Sequence, residues 1–490
     1  MMIWALILIP FIAGLLSLFI RVDVLRRSIL IAAAVCHTAI ITLCWLENPE
    51  PILAGWFAFD ATAKLFLSIA SVLFLCASFY AVGYLKAERH EPKKDFEEEE
   101  FFVNAPEAIF TACLLMFLMT MTLAITSQHF GLIWVAMEAT TLVSAPLIYF
   151  HRHHRSLEAT WKYLLICSVG IAISLLGNFF LAIAASAPDG SSIPLMRSDL
   201  AANASQLLSP WVKAAFIFIL VGYGTKMGLA PLHTWLPDAH SEAPSVVSAL
   251  LSGTLLNCAF VGILRAYEVT AAAGLLPFAQ NLLILFGLVS MAFAAVFIIG
   301  QADYKRMLAY SSVEHMGILA LGVGLGGAAV FGSMLHTVNH SLTKAALFLV
   351  AGNILAVYKT KIASHVKGVF SLISVSGFLW IAGILAITGF PPFGTFLSEF
   401  TILKAIIEQG RYFIAAAYLG LLAIIFVSFS AIAFRMAQGR NTENLPAKNE
   451  RWLSIVPPAV LLFGVLVLGV YVPKQLTNVL HDIALLLGGN

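Results

Sequence analysis

The chain has 490 residues, of which 60% are hydrophobic and only 11% charged, with a net charge of +2 and a mean hydropathy of +0.92. Soluble proteins carry about 25% charged residues, whereas here apolar residues run in blocks of about 20, the length that crosses a hydrocarbon core of ~30 Å. That composition excludes a soluble enzyme, and no Lys/Arg cluster is dense enough for nucleic acid.

Taken in chain order, the blocks predict an all-α polytopic membrane protein. The opening stretch "MMIWALILIPFIAGLLSLFI" lacks a basic start and a small-residue cleavage site, so it reads as a membrane helix, not a signal peptide. Helices are expected at 2–20, 28–46, 62–85, 107–126, 129–150, 162–187, 211–235, 242–266, 279–300, 306–325, 329–354, 369–408, 412–435 and 453–472, fourteen spans in all. Residues 86–102, "KAERHEPKKDFEEEEFF", read as a charged, solvated loop, and 188–210 as a Ser/Ala/Asn loop with weak structural signals. "HRHHR" at 151–155 reads as a basic interfacial loop. After the last span, Leu476, Val479, Leu480, Ile483 and Leu487 fall at helical spacing, as in a short interfacial helix. Three parts follow: 1–104 with three spans and the charged loop, a core at 105–440, and 441–490 with the last span and the interfacial helix.

Lys and Arg set the expected orientation. Nineteen of the 28 fall in loops after odd-numbered spans, among them Arg21, Arg27, Lys93, Arg155, Lys305 and Lys361, and six on the opposite face. The positive-inside rule then places both termini outside the cytoplasm. The six cysteines, Cys36, Cys44, Cys76, Cys113, Cys167 and Cys258, lie in or beside apolar segments without a CxxC pair. That pattern argues against an iron–sulfur cluster, a zinc site or a disulfide framework, and no cofactor is expected.

Charges inside the spans carry the functional signal. An ionised residue near the bilayer centre costs roughly 2.5–3.5 kcal/mol even on the lenient insertion scale, so such residues face the bundle and do work. Glu138 lies midway along the fifth span in "IWVAMEATTLVSAPLIYF", and Lys226 in the seventh; paired, they would offset each other's desolvation. Pro231 follows in "GLAPLHTWLPDAHSEAPS" and should break that helix, as Pro391 and Pro392 should break the twelfth at "GFPPFG". Broken spans five helices apart point to two repeats, spans 4–8 and 9–13, inverted because five is odd.

Between the breaks lie Asn257 in the eighth span, Glu314 and His315 in the tenth, and His336, His340 and Lys344 as one stripe on the eleventh. Glu399 lies beyond the second break, with His233 and Lys404 as further possible links. Acid, base and imidazole in alternation suit a water-linked proton relay. His336 and His340 also have two-ligand spacing, but no acidic or sulfur ligand is near in sequence and HExxH is absent, so no metal site is expected.

"GTKMGLAPLHTWLPDAHSEAPSVVSALLSG", "AYSSVEHMG", "HTVNHSLTKAALF" and "GFPPFGTFLSEF" resemble the large antiporter-like subunits of respiratory complex I, membrane-bound hydrogenases and Mrp-type cation/proton antiporters, strongly over about residues 105–440. "WVAMEATTL" and "LLNCA" look most like the hydrogenase-4 component F group and its formate hydrogenlyase relatives. The resemblance implies proton-transfer roles for Glu138, Lys226, Lys344 with its flanking His336 and His340, and Glu399, at the positions matching the family's motifs. It implies no catalytic residue or redox chemistry in this chain. It also implies antiporter-like and quinone-site-like membrane partners, peripheral hydrogenase or dehydrogenase subunits, and a bacterial or archaeal inner membrane. Two departures stand out: Asn257 replaces a titratable residue found in several relatives, which shifts the link to water or His315, and no long lateral helix follows the last span. The alternatives are an Mrp-type Na⁺/H⁺ antiporter subunit and a non-conducting scaffold.

Overall fold

In the computed structural model, which describes residues 1–88, 93–95, 101–186, 192–439 and 449–488, the apolar blocks are helical. The chain opens with α1 (Met2–Phe19), α2 (Asp23–Leu46) and α3 (Ala61–Ala87), followed by α4 (Glu107–Thr126), α5 (Phe130–Ile148) and α6 (His154–Ala184). Then come α7 (Arg197–Ala202), α8 (Ser209–Met227), α9 (Trp235–Glu242), α10 (Ser245–Leu250), α11 (Leu256–Thr270) and α12 (Leu276–Ile298). The second half holds α13 (Tyr304–Leu325), α14 (Ala328–Tyr358), α15 (Val369–Leu372), α16 (Ser374–Ile387) and α17 (Gly394–Glu408). It ends with α18 (Tyr412–Ala437), α19 (Trp452–Val470) and α20 (Lys474–Leu486).

Among the described residues, 11 helical segments are long and apolar enough to cross a membrane. One of them, Ser245–Ile298, has 54 residues. At ~1.5 Å per residue it would be about 80 Å long if straight, and it turns instead at Gly274, whose φ is 74°. Polarity is distributed inside out: Leu165, Val169, Phe179, Val427 and Phe463 face outward, while Lys226, Glu314 and Lys344 are buried. Lipid on the outside accounts for that arrangement, because the exposed apolar surface costs nothing there.

Helices pack closely where glycines meet. A Cβ on Gly222 of α8 would lie 2.6 Å from the Gly170 carbonyl and from Ser174 of α6; Gly287 of α12 and Gly317 of α13 each approach the other's carbonyl to 2.7 Å in the same sense. Without a hydrophobic drive between helices, such close backbone contact is what holds them together in lipid. The central pillar is α13, whose most apolar 18-residue window is wholly buried.

Both expected breaks are present. The helix of α8 stops at Met227, and Gly228 caps it in the left-handed region at φ 85°. The groups freed by the break find partners: Trp235 Nε1 donates to the Thr225 carbonyl at 2.8 Å, and the Ala230 amide donates to Ser290 Oγ at 2.9 Å. Satisfied backbone of this kind is the condition for a break at membrane depth. The second break lies between α16 and α17, where Gly389 has φ 67°. There Gly394 sits against Asn339, and Gly469 of α19 leaves room for the Pro392 carbonyl.

Three loop readings change. Part of 86–102 is ordered: Lys93–Lys94 pairs with Phe101–Phe102 as a two-stranded β1–β2 ribbon, and Asp95, 5% exposed, holds Arg155 at 2.6 Å. Residues 89–92 and 96–100 of that loop lie outside the described residues. In 188–210, α7 forms because Arg197 reaches Gln128 at 2.8 Å and Glu268 at 2.6 Å. "HRHHR" is half helix, since His153 caps α6 by accepting the Ser156 amide at 3.1 Å. The apolar face of α20 is not free for lipid: Val479, Leu480 and Ile483 are buried, and the helix packs on α3 and α14.

One polar knot ties α3, α7 and α11 at the end of the bundle. Asp60 caps α3 by accepting the Ala63 amide at 2.8 Å and takes Arg265 at 3.1 Å and Arg197 at 3.4 Å. Burial opposes its ionisation, yet the two guanidiniums hold its pKa below the ordinary carboxylate value. A lowered folded pKa means the contribution is full above the unfolded value and is lost as the pH falls through the folded one. Asp60→Asn should therefore flatten the acid side of a plot of melting temperature against pH in detergent; an unaltered acid limb would contradict the clamp. Gly222→Ala should destabilise the bundle by about 1–3 kcal/mol, read as a lower unfolding temperature, and an unchanged temperature would mean that α6 and α8 can part at no cost.

Candidate functional site

The first cluster forms where the last turn of α8 meets the middle of α5. Lys226 is fully buried. Its Nζ donates to the Met137 carbonyl at 2.6 Å, to Thr140 Oγ1 at 2.7 Å and to Thr141 Oγ1. All three acceptors are neutral. Residues 137, 140 and 141 share one helical face, while Glu138 stands about 100° around the helix from Met137. The expected direct Glu138–Lys226 contact is therefore absent. Glu138 Oε1 instead accepts from Ser168 Oγ of α6 at 2.8 Å, and its buried Oε2 has no partner.

Helices α11 and α14 meet at Asn257. Its Nδ2 donates to the Gly253 carbonyl at 2.9 Å and to Ser341 Oγ of α14 at 2.8 Å. Nearby, Ser252 and Ser312 join α13 through a 2.8 Å hydroxyl pair. Hydroxyls and an amide thus join the α10–α11 stretch to α13 and α14 at this level.

The second cluster is assembled by α13, α14 and α17. The stripe of His336, His340 and Lys344 is buried along its whole length and faces α13. His336 Nε2 lies 2.9 Å from His315 Nδ1, the His340 ring is 5.1 Å from that of His315, and Lys344 Nζ donates to the Leu308 carbonyl at 2.6 Å. Like Lys226, Lys344 has no carboxylate bonded to it. Glu314 Oε2 stands 4.0 Å from His315 Nε2. Glu399 is 7% exposed, its Oε1 has no partner, and its other oxygen fills the space a Cβ on Gly389 would need.

Two expected links lie elsewhere. Lys404 is on the outer face of α17, with its side chain 64% exposed and 3.6 Å from Glu408. His233 follows the break after α8 and sits among the rings of Phe293, Phe297 and Tyr310. Neither touches the two clusters.

Other residues emerge only from the fold. Lys305, in a loop by composition, is 1% exposed and donates to the Ser241 and Ala243 carbonyls at 2.9 and 2.6 Å. Beside it Glu242 accepts from Lys361 at 2.6 Å; burial opposes its ionisation, but Lys361 outweighs this and keeps its pKa below the ordinary value. Lys305, Glu242, Lys361, His151 and His153 line a cavity of about 540 Å³ on the Lys/Arg-rich side. The buried ring of His240 stacks on Phe348 at 5.0 Å with neither nitrogen hydrogen-bonded. The sequence signal for this group was the capping Asp303, whose Oδ1 accepts the Lys305 amide at 2.7 Å and so starts α13 one residue before Lys305.

The family model described as "NADH:quinone oxidoreductase/Mrp antiporter, TM" matches residues 127–427, which hold both breaks and both lysine clusters. A hydrogenase-4 component F homolog of Methylacidiphilum infernorum is 38% identical over 372 residues, covering 75% of this chain and 77% of that protein. NADH-quinone oxidoreductase subunit N of Desulforudis audaxviator is 28% identical over 512 residues, with 97% of each chain covered. Among solved structures, a chain of the archaeal membrane-bound sulfane sulfur reductase superposes with a TM-score of 0.87 at 20% identity, over 99% of this chain and 98% of that one. A chain of the Mrp complex from Dietzia superposes with a TM-score of 0.84 at 18% identity, over 98% and 96%. The chain is a multi-pass membrane protein and belongs to the NADH:quinone oxidoreductase/Mrp antiporter membrane-subunit family.

Proposed function

We propose that this chain moves protons across the membrane as one subunit of a multi-subunit redox complex of the hydrogenase-4 or formate hydrogenlyase type. The observation that carries this reading is the pair of buried lysines, Lys226 and Lys344, whose Nζ atoms are hydrogen-bonded only to neutral oxygens. Each costs roughly 2.5–3.5 kcal/mol to place there. Stability alone is a poor reason to keep such groups, since buried charges are often no better than apolar substitutes. A proton that leaves and returns is a better one.

The route runs from Glu138 and Lys226, past Asn257 and the Ser252–Ser312 hydroxyls, to Lys344, His340, His315, His336 and Glu399. Asn257 binds no proton, so water and hydroxyls bridge the halves. We count fourteen crossings: the apolar segments with Ser245–Ile298 taken as two, α8, and α16–α17 as one broken span. The matching breaks after α8 and α16 support two inverted five-helix repeats, and the Lys/Arg asymmetry supports termini outside the cytoplasm. Partners of the membrane-arm and peripheral dehydrogenase kinds follow from this reading. The 38% identity to the hydrogenase-4 homolog favours it over an Mrp antiporter.

In membrane vesicles holding the assembled complex, Lys226→Ala and Lys344→Ala should each abolish redox-driven proton uptake while the subunits still copurify. Uptake at the native rate in either variant would leave a scaffold as the better reading. Copurification should recover hydrogenase-type partners; a set of small cation-antiporter subunits instead would move the chain to the Mrp reading.

A further inference from the structure

Sequence spacing offered His336 only a histidine neighbour, with no acidic ligand nearby. The fold supplies one from a distant helix. His315 of α13, His336 of α14 and Glu399 of α17 place one ligand atom each within 4.8 Å of the other two, and all three residues are buried. We propose that these residues form a binding site for a divalent transition-metal ion of the Zn²⁺ class, with two imidazoles, one carboxylate and an open fourth position.

The hydrogen-bond pattern makes the site ready for a cation. Ser398 Oγ gives its proton to the Thr395 carbonyl at 2.8 Å, so towards His336 Nδ1, 3.0 Å away, it acts only as acceptor. That assigns the hydrogen of His336 to Nδ1 and leaves Nε2 with its lone pair facing His315. A ligating histidine whose far nitrogen is fixed by a neighbour is the usual outer-shell arrangement of metal sites. His315 Nδ1 then donates to His336 Nε2 at 2.9 Å in the resting state. Ligand nitrogens on a tetrahedral ion at Zn–N ~2.0–2.1 Å stand about 3.3–3.4 Å apart, so the rings separate by about 0.4 Å on loading.

His315 must also turn its Nδ1 lone pair to the ion. The proton balance is closed: Nδ1 loses a hydrogen, Nε2 gains one, and the ring stays neutral. The new Nε2–H faces Glu314 Oε2, 4.0 Å away in the resting protein and beyond hydrogen-bond reach until the ring turns. Until then His315 Nε2 and Glu399 Oε1 are both buried without partners. The unsatisfied Glu399 oxygen, on a residue of the cluster itself, is what an occupant would explain, while the orphan His315 Nε2 lies on the far side of its ring. A cleft of about 280 Å³ between α17 and α18, lined by Glu399, Gly389, Thr388 and Tyr418, leads to the carboxylate.

Binding can be counted on the resting protein, so the claim stands or falls apart from the proton path. Titration of the purified full-length chain in detergent with Co²⁺ should give one equivalent bound with visible ligand-field absorption, displaced by Zn²⁺. Glu399→Gln and His336→Ala should each weaken binding by at least about tenfold, while His240→Ala, another buried histidine, should bind as the native chain does. X-ray absorption at the zinc edge of the loaded native protein should show two imidazole shells, which keeps the test decisive if a variant fails to fold. Absence of stoichiometric binding, a shell without two imidazoles, or unaltered affinity in folded Glu399→Gln and His336→Ala would each overturn the site.

Discussion

Two lysine side chains end in the apolar interior with only carbonyl and hydroxyl oxygens hydrogen-bonded to them, and the rest of the structure is arranged about that fact. Lys226 takes three oxygens from a single turn of α5, and Lys344 takes the Leu308 carbonyl of α13. A carboxylate in contact would fix each proton in place. Neutral acceptors solvate a charge without doing so, and Glu138 and Glu314 have other neighbours, Ser168 and His315. That is the difference between a structural ion pair and a group that can exchange its proton.

Getting such groups to membrane depth without unsatisfied backbone is the second requirement. Lys226 sits in the last turn before the α8 break, and Glu399 in the second turn after the α16–α17 break. Each break is sealed from within: by Trp235 and Ser290 at the first, and by close approach of Asn339 and Gly469 at the second. The glycine contacts between α6 and α8 and between α12 and α13 clamp the surrounding helices. Rigid walls and interrupted but satisfied helices occur side by side.

Much of this was legible in the residues because lipid imposes a harsh filter on composition. The apolar blocks, the breaks at Pro231 and at Pro391–Pro392, and the burial of His315, His336, His340 and Lys344 all follow from single-chain patterns. What failed did so for geometric reasons. Glu138 and Lys226 have complementary charges, but helical phase turns the carboxylate toward Ser168. Lys404 looks intramembrane by position, yet the outer face of α17 lets its long chain reach the surface beside Glu408. Lys305 looks like loop charge, and only the packing of α9 against α13 reveals it as buried. The meeting of Glu399 with His315 and His336 spans more than sixty residues between α14 and α17, beyond any local pattern.

The central claim is that the proton of a buried lysine comes and goes, and the most direct measurement separates its charge from its exchange. Arginine keeps a positive charge at this position but does not release its proton under any working condition. Redox-driven proton uptake should therefore be lost in an assembled complex carrying Lys344→Arg, as it would be without the charge altogether. Native uptake in that variant would show that Lys344 supplies only a fixed charge, and would contradict the account.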